Sequence, residues 1–187
     1  MWASPRDLSH YVQMLFAEGL YKGNRVMASR SIDEMVHMAK EDLSIRTALL
    51  EGRYIWGDTG VYEEAKLRFF SEVVEGTHRA FVSEKLAERD ARHKKMGGSR
   101  YVVEPNVKEG KGGMRDLQTL YWIGKYVHRV ANAEELVDVG LLTRIEFLRF
   151  RKASNFLWAV RCHMHDMTGR AEDRLTFDLQ TGVARRM

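Results

Sequence analysis

The sequence predicts an all-α fold, a helical bundle of about five to seven helices with a glycine-rich loop between helices. Three observations predict it. Apolar residues recur at alternating spacings of three and four along most of the chain, the period of a helix with one buried face. Two boxes of the form S/T-x-x-E, Ser31 to Glu34 and Thr143 to Glu146, mark helix starts. Glycines stand where the stripes stop, and Pro5 and Pro105 are the two prolines in the chain.

The first 24 residues carry the weakest pattern, with a helix expected around Leu8 to Glu18. From Ser31 a helical stretch is expected to reach Trp56, broken near Asp42. Leu43, Thr47, Leu50 and Tyr54 share one face, and Gly57 is the stop. A second helix spans about Val61 to Val74 and ends at Gly76. A third runs from Thr77 to about Lys95, ended by Gly97-Gly98. Its second half, K-L-A-E-R-D-A-R-H-K-K, reads as a solvated face. Tyr101-Val102-Val103 is either a short strand or an extended lead into the glycine loop. Beyond Asp116, the stripe is Leu117, Leu120, Gly124, Val127 and Ala131. Asn132 opens a short helix that stops at Gly140. Behind Thr143 lies the longest helix, with Phe150, Ala153, Leu157, Val160, Met164 and Met167 in register and Gly169 at its end.

A chain of 187 residues supports one good core or two small domains. Apolar content of 44% and charged content of 30% fit a soluble globular protein. Cys162 is the single cysteine, so no intrachain disulfide can form and a cytoplasmic setting is expected. The first residues lack the basic start and apolar core of a signal peptide. No apolar stretch is long enough to span a bilayer, so no membrane partner is expected. The net charge of +4 permits anionic ligands. Acids and bases alternate along most helices, which argues against a nucleic-acid partner.

One run concentrates chemistry: Y-V-V-E-P-N-V-K-E-G-K-G-G-M-R-D, Tyr101 to Asp116, leading directly into a helix. Gly110, Gly112 and Gly113 can take positive φ or come close to a ligand. Lys108, Lys111 and Arg115 can contact phosphate oxygens, and a helix N-terminus adds its positive dipole end. Asp116 can cap that helix, or reach a metal or a ribose. The competing reading is a surface turn with ordinary charges. The order G-x-x-x-x-G-K-[ST] of a Walker A loop is absent, and so is a G-x-G-x-x-G between strand and helix. Cys162, His163, His165 and Asp166 form a local cluster, but positions two apart on a helix face away from each other. Structural or solvent-facing roles are favoured there over metal binding. Tyr121, Trp122, Tyr126 and Trp158 read as core rather than as base-stacking platforms.

The run E-P-N-V-K-E-G-K-G-G-M-R-D-L-Q-T-L-Y-W-I-G-K-Y resembles the signature of the bifunctional PII uridylyltransferase/uridylyl-removing enzymes. Two further stretches, Asp42 to Gly57 and Phe156 to Gln180, resemble the same family in its order and spacing. The resemblance covers about Ser31 to Met187. The glutamine synthetase adenylyltransferases share only a looser K-x-x-x-G-G-x-R pattern.

The resemblance implies a cytoplasmic enzyme that transfers UMP from UTP to the PII signalling protein, with Mg²⁺ at the phosphates. It implies that residues 31–187 are the helical domain beside a nucleotidyltransferase core. Residues 1–30 match poorly and read as a remnant of that core. The core's G-G-x-G-R-G-like loop and acidic D-x-D are not found there, so no catalytic residue is assigned. This chain is expected to be inactive alone. Lys108 and Arg115 would neutralise the triphosphate. Gly112 and Gly113 would let the backbone approach it, and Asp116 would orient Arg115 or cap the helix. The alternative is a non-catalytic helical module that binds nucleotide or PII.

Overall fold

Asp42 splits the first helical stretch in two. Its backbone is extended, and its carboxylate accepts from the N–H groups of Ser44 (2.6 Å) and Ile45 (2.9 Å). Those bonds satisfy donors at a helix start that have no partner within the helix. They also hold the Asp42 carboxyl below its ordinary range, Ile45 contributing most. Helix α1 therefore covers Ser29–Glu41 and α2 covers Leu43–Leu50. The computed structural model describes residues 20–21, 24–25 and 29–187, with side chains from Ser31 onward. The expected helix at Leu8 to Glu18, and most of the 1–30 segment read as a core remnant, lie outside the described residues. Leu20–Tyr21 (β1) pairs antiparallel with Asn24–Arg25 (β2) ahead of α1.

Two expectations for this stretch need correction. Ser31 lies inside α1, so the box that it forms with Glu34 is not the helix start. No glycine or proline between Ser29 and Glu41 delays the helix to Ser31. The second helix stops at Leu50 rather than Trp56. Gly52 lets the chain fold over the last turn, because a Cβ there would stand 2.9 Å from the Leu49 carbonyl oxygen. Tyr54, Ile55 and Trp56 are exposed, so Tyr54 leaves the stripe.

Arg46 fastens the α1–α2 corner from below. Nearly buried, it donates to the carbonyls of Ala39 (2.8 Å) and Lys40 (2.7 Å) at the end of α1. A cation there satisfies orphan carbonyls and meets the negative end of the helix dipole. Helix α3, Thr59–Phe69, is capped by Asp58 and runs into a π-helical turn, Phe70–Val74. It packs on α1 through Ile32, Val36, Ala39, Phe69, Val73 and Val74, all buried, in a compact unit that ends at Thr77.

The second compact unit, His78–Met187, carries the glycine loop. It contains α4 (His78–Lys95), α5 (Met114–His128), α6 (Glu135–Asp138), α7 (Arg144–Thr168) and α8 (Phe177–Arg186). Among the described residues this makes eight helices. The expected count missed α8, which opens after Thr176 and carries Asp178 in its first turn. Helix α4 packs on α5, α5 on α7, and α7 on α6 and α8.

The α4–α5 contact centres on two stacked rings. Phe81 and Tyr126 are fully buried, 3.7 Å apart and 6° from parallel, with His78 edge-on to Tyr126. The buried stripe of α5 is thus Thr119, Trp122 and Tyr126, not the expected Leu117 and Leu120, which are half-buried. Gly124 faces another neighbour. A Cβ there would meet Leu136 of α6 at 2.3 Å, so glycine is what lets α6 dock. Trp122 and Tyr126 are core as expected, but Trp158 is 47% exposed because the middle of α7 has little packed against it.

Helix α7 begins at a complete capping box. The Glu146 N–H donates to Thr143 Oγ1 (3.2 Å), and the Thr143 N–H donates to the Glu146 carboxylate (2.8 Å). Thr143→Ala should lower stability by about 1 kcal/mol, read as a lower urea midpoint. The expected α7 stripe is buried only in its final turns, where Val160 and Met164 join Val107 and Val183. Ala153 is exposed. Gly169 ends the helix at φ +65°, as its position suggested.

Candidate functional site

The glycine loop is folded onto itself before it reaches anything else. Asn106 Oδ1 accepts from the N–H groups of Lys108 (3.0 Å) and Glu109 (2.7 Å), and its carbonyl accepts from Gly110 (3.0 Å). The Gly113 N–H donates to the Gly110 carbonyl, Met114 to Val107, and Arg115 to Lys108. These turns leave no room for side chains at two glycines. A Cβ on Gly110 would lie 2.5 Å from the Asn106 oxygen. One on Gly113 would lie 2.8 Å from two carbonyl oxygens and 3.0 Å from a third. Gly112 has φ +82°, the left-handed conformation that glycine adopts freely.

The stem of the loop is clipped to the segment ahead of α8. Val107 N–H donates to the Asp173 carbonyl and Leu175 N–H to the Pro105 carbonyl, both 2.9 Å, around the bridge Asn106–Arg174. Tyr101 to Val103 form an extended lead rather than a strand. Two of the stretches that carry the family resemblance thus meet in space.

Asp116 organises one side. Its carboxylate accepts from Arg92 Nη2 (2.7 Å) and the Gly112 N–H (2.7 Å), and bonds His93 Nε2 (2.8 Å). Burial alone raises this carboxyl, but the Gly112 N–H, Arg92 and His93 outweigh it and hold it below the usual carboxylate range. Asp173 organises the other side. It accepts from Arg161 Nε (2.7 Å), with His165 Nε2 at 3.4 Å and Lys108 Nζ at 3.6 Å. Burial again acts upward, and Arg161, His165 and Lys108 together bring the carboxyl down.

Lys108 and Arg115 come together around Glu109, with nitrogens 3.8 and 3.5 Å from the same carboxylate oxygen. The Arg115 guanidinium also bonds Gln118 (3.1 Å) and lies over the Trp122 ring, 5.6 Å from its centre. Both cationic side chains keep about a third of their surface exposed. Gly112 and Gly113 have their N–H groups bonded within the loop, so these glycines shape the loop rather than offer donors outward. Asp116 makes no bond to Arg115. It reaches across to α4 instead.

That contact exposes what the sequence reading missed. In the run read as a solvated face, Lys85 is 3% exposed, and the side chains of Arg92 and His93 are 10% and 14% exposed. Lys85 bonds Glu88 (2.6 Å) and lies over Trp122. By spacing, Phe81, Lys85 and Arg92 share one face of α4, but their residue types read as solvated and Glu88 on that side is exposed, so the pattern alone did not mark them as buried.

The Cys162 cluster disperses. Cys162 is exposed, His165 turns to Asp173, and Asp166 pairs with Arg186. Among the described residues no three His, Cys, Asp or Glu side chains converge as a metal site. No described helix is long and apolar enough to cross a membrane.

The family model described as GlnD PII-uridylyltransferase matches residues 80–187. A bifunctional uridylyltransferase/uridylyl-removing enzyme of Erythrobacter litoralis is 69% identical over 160 residues, 86% of this chain and 17% of that protein. One of Novosphingobium aromaticivorans is also 69% identical over 160 residues, covering 86% of this chain and 18% of its own length. The chain thus spans under a fifth of the curated relatives it matches. No solved structure matches. The matched region contains α5 and nearly all of α4, the whole glycine loop and both carboxylate hubs, and on that basis the chain belongs to the GlnD PII-uridylyltransferase family.

Proposed function

We propose that the chain works within a cytoplasmic PII uridylyltransferase/uridylyl-removing enzyme, contributing contacts to the triphosphate of UTP from the glycine-rich loop. The observation that carries this reading is the placement of Lys108 and Arg115. Two partly exposed cations are held around one carboxylate by a loop whose own bonds keep its shape. Moving UMP from UTP to the PII protein breaks the link between the α and β phosphates. Negative charge then gathers on the departing pyrophosphate. Cations already in position stabilise that charge without reorganising. Gly112 and Gly113 set the path of the loop, and Asp116 acts as a positioning residue through Arg92 and His93.

The test is titration of the protein with UTP, comparing Arg115→Ala with the parent. The expected result is a Kd raised about ten- to a hundredfold, the loss of one charge-assisted phosphate contact. Thermal melting checks that the variant remains folded. An unchanged Kd in a folded variant rejects the assignment.

A further inference from the structure

We propose that the cleft beside the glycine loop, lined by Lys95, Arg100, Lys111 and Arg174, is a seat for a phosphate chain. The cleft holds about 350 Å³ and lies wholly within the His78–Met187 unit. That volume falls at the low end of small-ligand sites, which run about 300–1,000 Å³. Such sites are usually apolar; this one is charged.

The charge is mostly positive, and the cations lack carboxylate partners within 4 Å among the described residues. Four cations line the cleft against a single carboxylate, Glu104. Glu104 already accepts from the Phe177 N–H (2.9 Å). Among the described residues Lys95 and Lys111 make no ion pair. Arg100 only lies near the Tyr101 ring, 5.7 Å from its centre. Arg174 reaches no carboxylate, and its Nε makes only a long bond of 3.5 Å to the Glu104 carbonyl. The contrast with the neighbouring cations is sharp. Arg92, Arg161, Lys108 and Arg115 each lie within 4 Å of a carboxylate. Around the cleft, four cations share one carboxylate, an excess of positive charge that an incoming anion relieves.

The backbone adds to this. From Val107 to Asp116, every N–H except that of Lys111 has an acceptor among the described residues. Lys111 therefore brings to the cleft both a free N–H and a free ammonium. Asn106 commits its Oδ1 to Lys108 and Glu109, which leaves the Nδ2 hydrogens as donors without an acceptor. The cleft is rich in donors and poor in acceptors, the complement of a phosphate chain, which only accepts. A nucleotide triphosphate and free inorganic polyphosphate share that chemistry. Identifying the occupant as the triphosphate of UTP rests on the reading above; the anion site itself does not.

The test is calorimetric titration with inorganic tripolyphosphate and, separately, with UTP. The proteins are the parent chain, Lys111→Met/Arg174→Met, Arg115→Met, and a charge control, Lys66→Met/Lys152→Met. Saturable tripolyphosphate binding is expected, weakened at least about tenfold by the cleft variant and changed less than about twofold by the control. Equal affinity in parent and cleft variant overturns the proposal. So does an equal loss in the control, which would mean general charge attraction, or binding of UTP without binding of tripolyphosphate. No binding of either ligand overturns it as well. The Arg115 variant bears on the earlier reading alone: a loss of UTP affinity there supports the Lys108–Arg115 contact, and the cleft stands or falls with its own variant. Circular dichroism of each variant confirms that the helices persist.

Discussion

Asp116→Ala is expected to lower the stability of the His78–Met187 unit by about 3 kcal/mol, the lower end for breaking a buried charge pair. The carboxylate joins α4 to the loop through Arg92, His93 and the Gly112 N–H. Without it, Arg92 remains buried with only Glu109 nearby, 3.9 Å away. Its Nε already lacks a hydrogen-bond partner, so little is left to offset the loss. Urea unfolding at neutral pH is the measurement. The effect also has a pH signature. The Asp116 carboxyl titrates lower when folded than when unfolded, so it stabilises the fold above its unfolded pKa of about 3.9 and ceases to do so as pH falls through its folded value. The parent should therefore lose stability more steeply below about pH 4 than Asp116→Asn, which carries no titrating group there. Asp173 is likewise held below the ordinary carboxylate range, but it is present in both proteins. Identical acid slopes for the two would show that Asp116 is not held as described.

Phe81→Ala is expected to cost about 3–5 kcal/mol, the range for removing a fully buried aromatic ring. The loss has two parts. The ring's apolar surface no longer leaves water on folding, and Tyr126 loses the face it stacks on at 3.7 Å. Helices α4 and α5 meet at this pair. A loss of that size is a large share of the total for a domain, about 5–15 kcal/mol. Phe81→Leu, which refills part of the volume, should recover part of it. A Phe81→Ala variant that melts at the parent temperature would mean that the α4–α5 contact is centred elsewhere.

Legibility in the sequence followed the range of the forces involved. Helix ends governed by neighbours a few residues away were readable: the Asp42 break, the Thr143 capping box, and the glycine stops at Gly76 and Gly169. Ends set by a tight backbone fold were not, and Gly52 stopped α2 before the more conspicuous Gly57 could. In α5, the apolar stripe pointed to Leu117 and Leu120, but which side is buried depends on α4 supplying Phe81. The loop was found by composition, and Lys108, Gly112, Gly113, Arg115 and Asp116 do come together as one structure. Asp116's true partners were hidden because Arg92 and His93 sit among charges that, by type alone, belong to solvent. Burial of charge is a long-range property, visible only when the opposing carboxylate is in place.

The self-bonded backbone of the loop also bears on how natural variation in this family should be read. Gly110 and Gly113 are demanded by the chain's own carbonyls, so selection for folding would retain them even in a descendant that had lost all affinity for nucleotide. Persistence of the two glycines among relatives then reports that the loop still closes. Drift at Lys111 and Arg174, which the fold leaves unpaired, is where a change of ligand would be written.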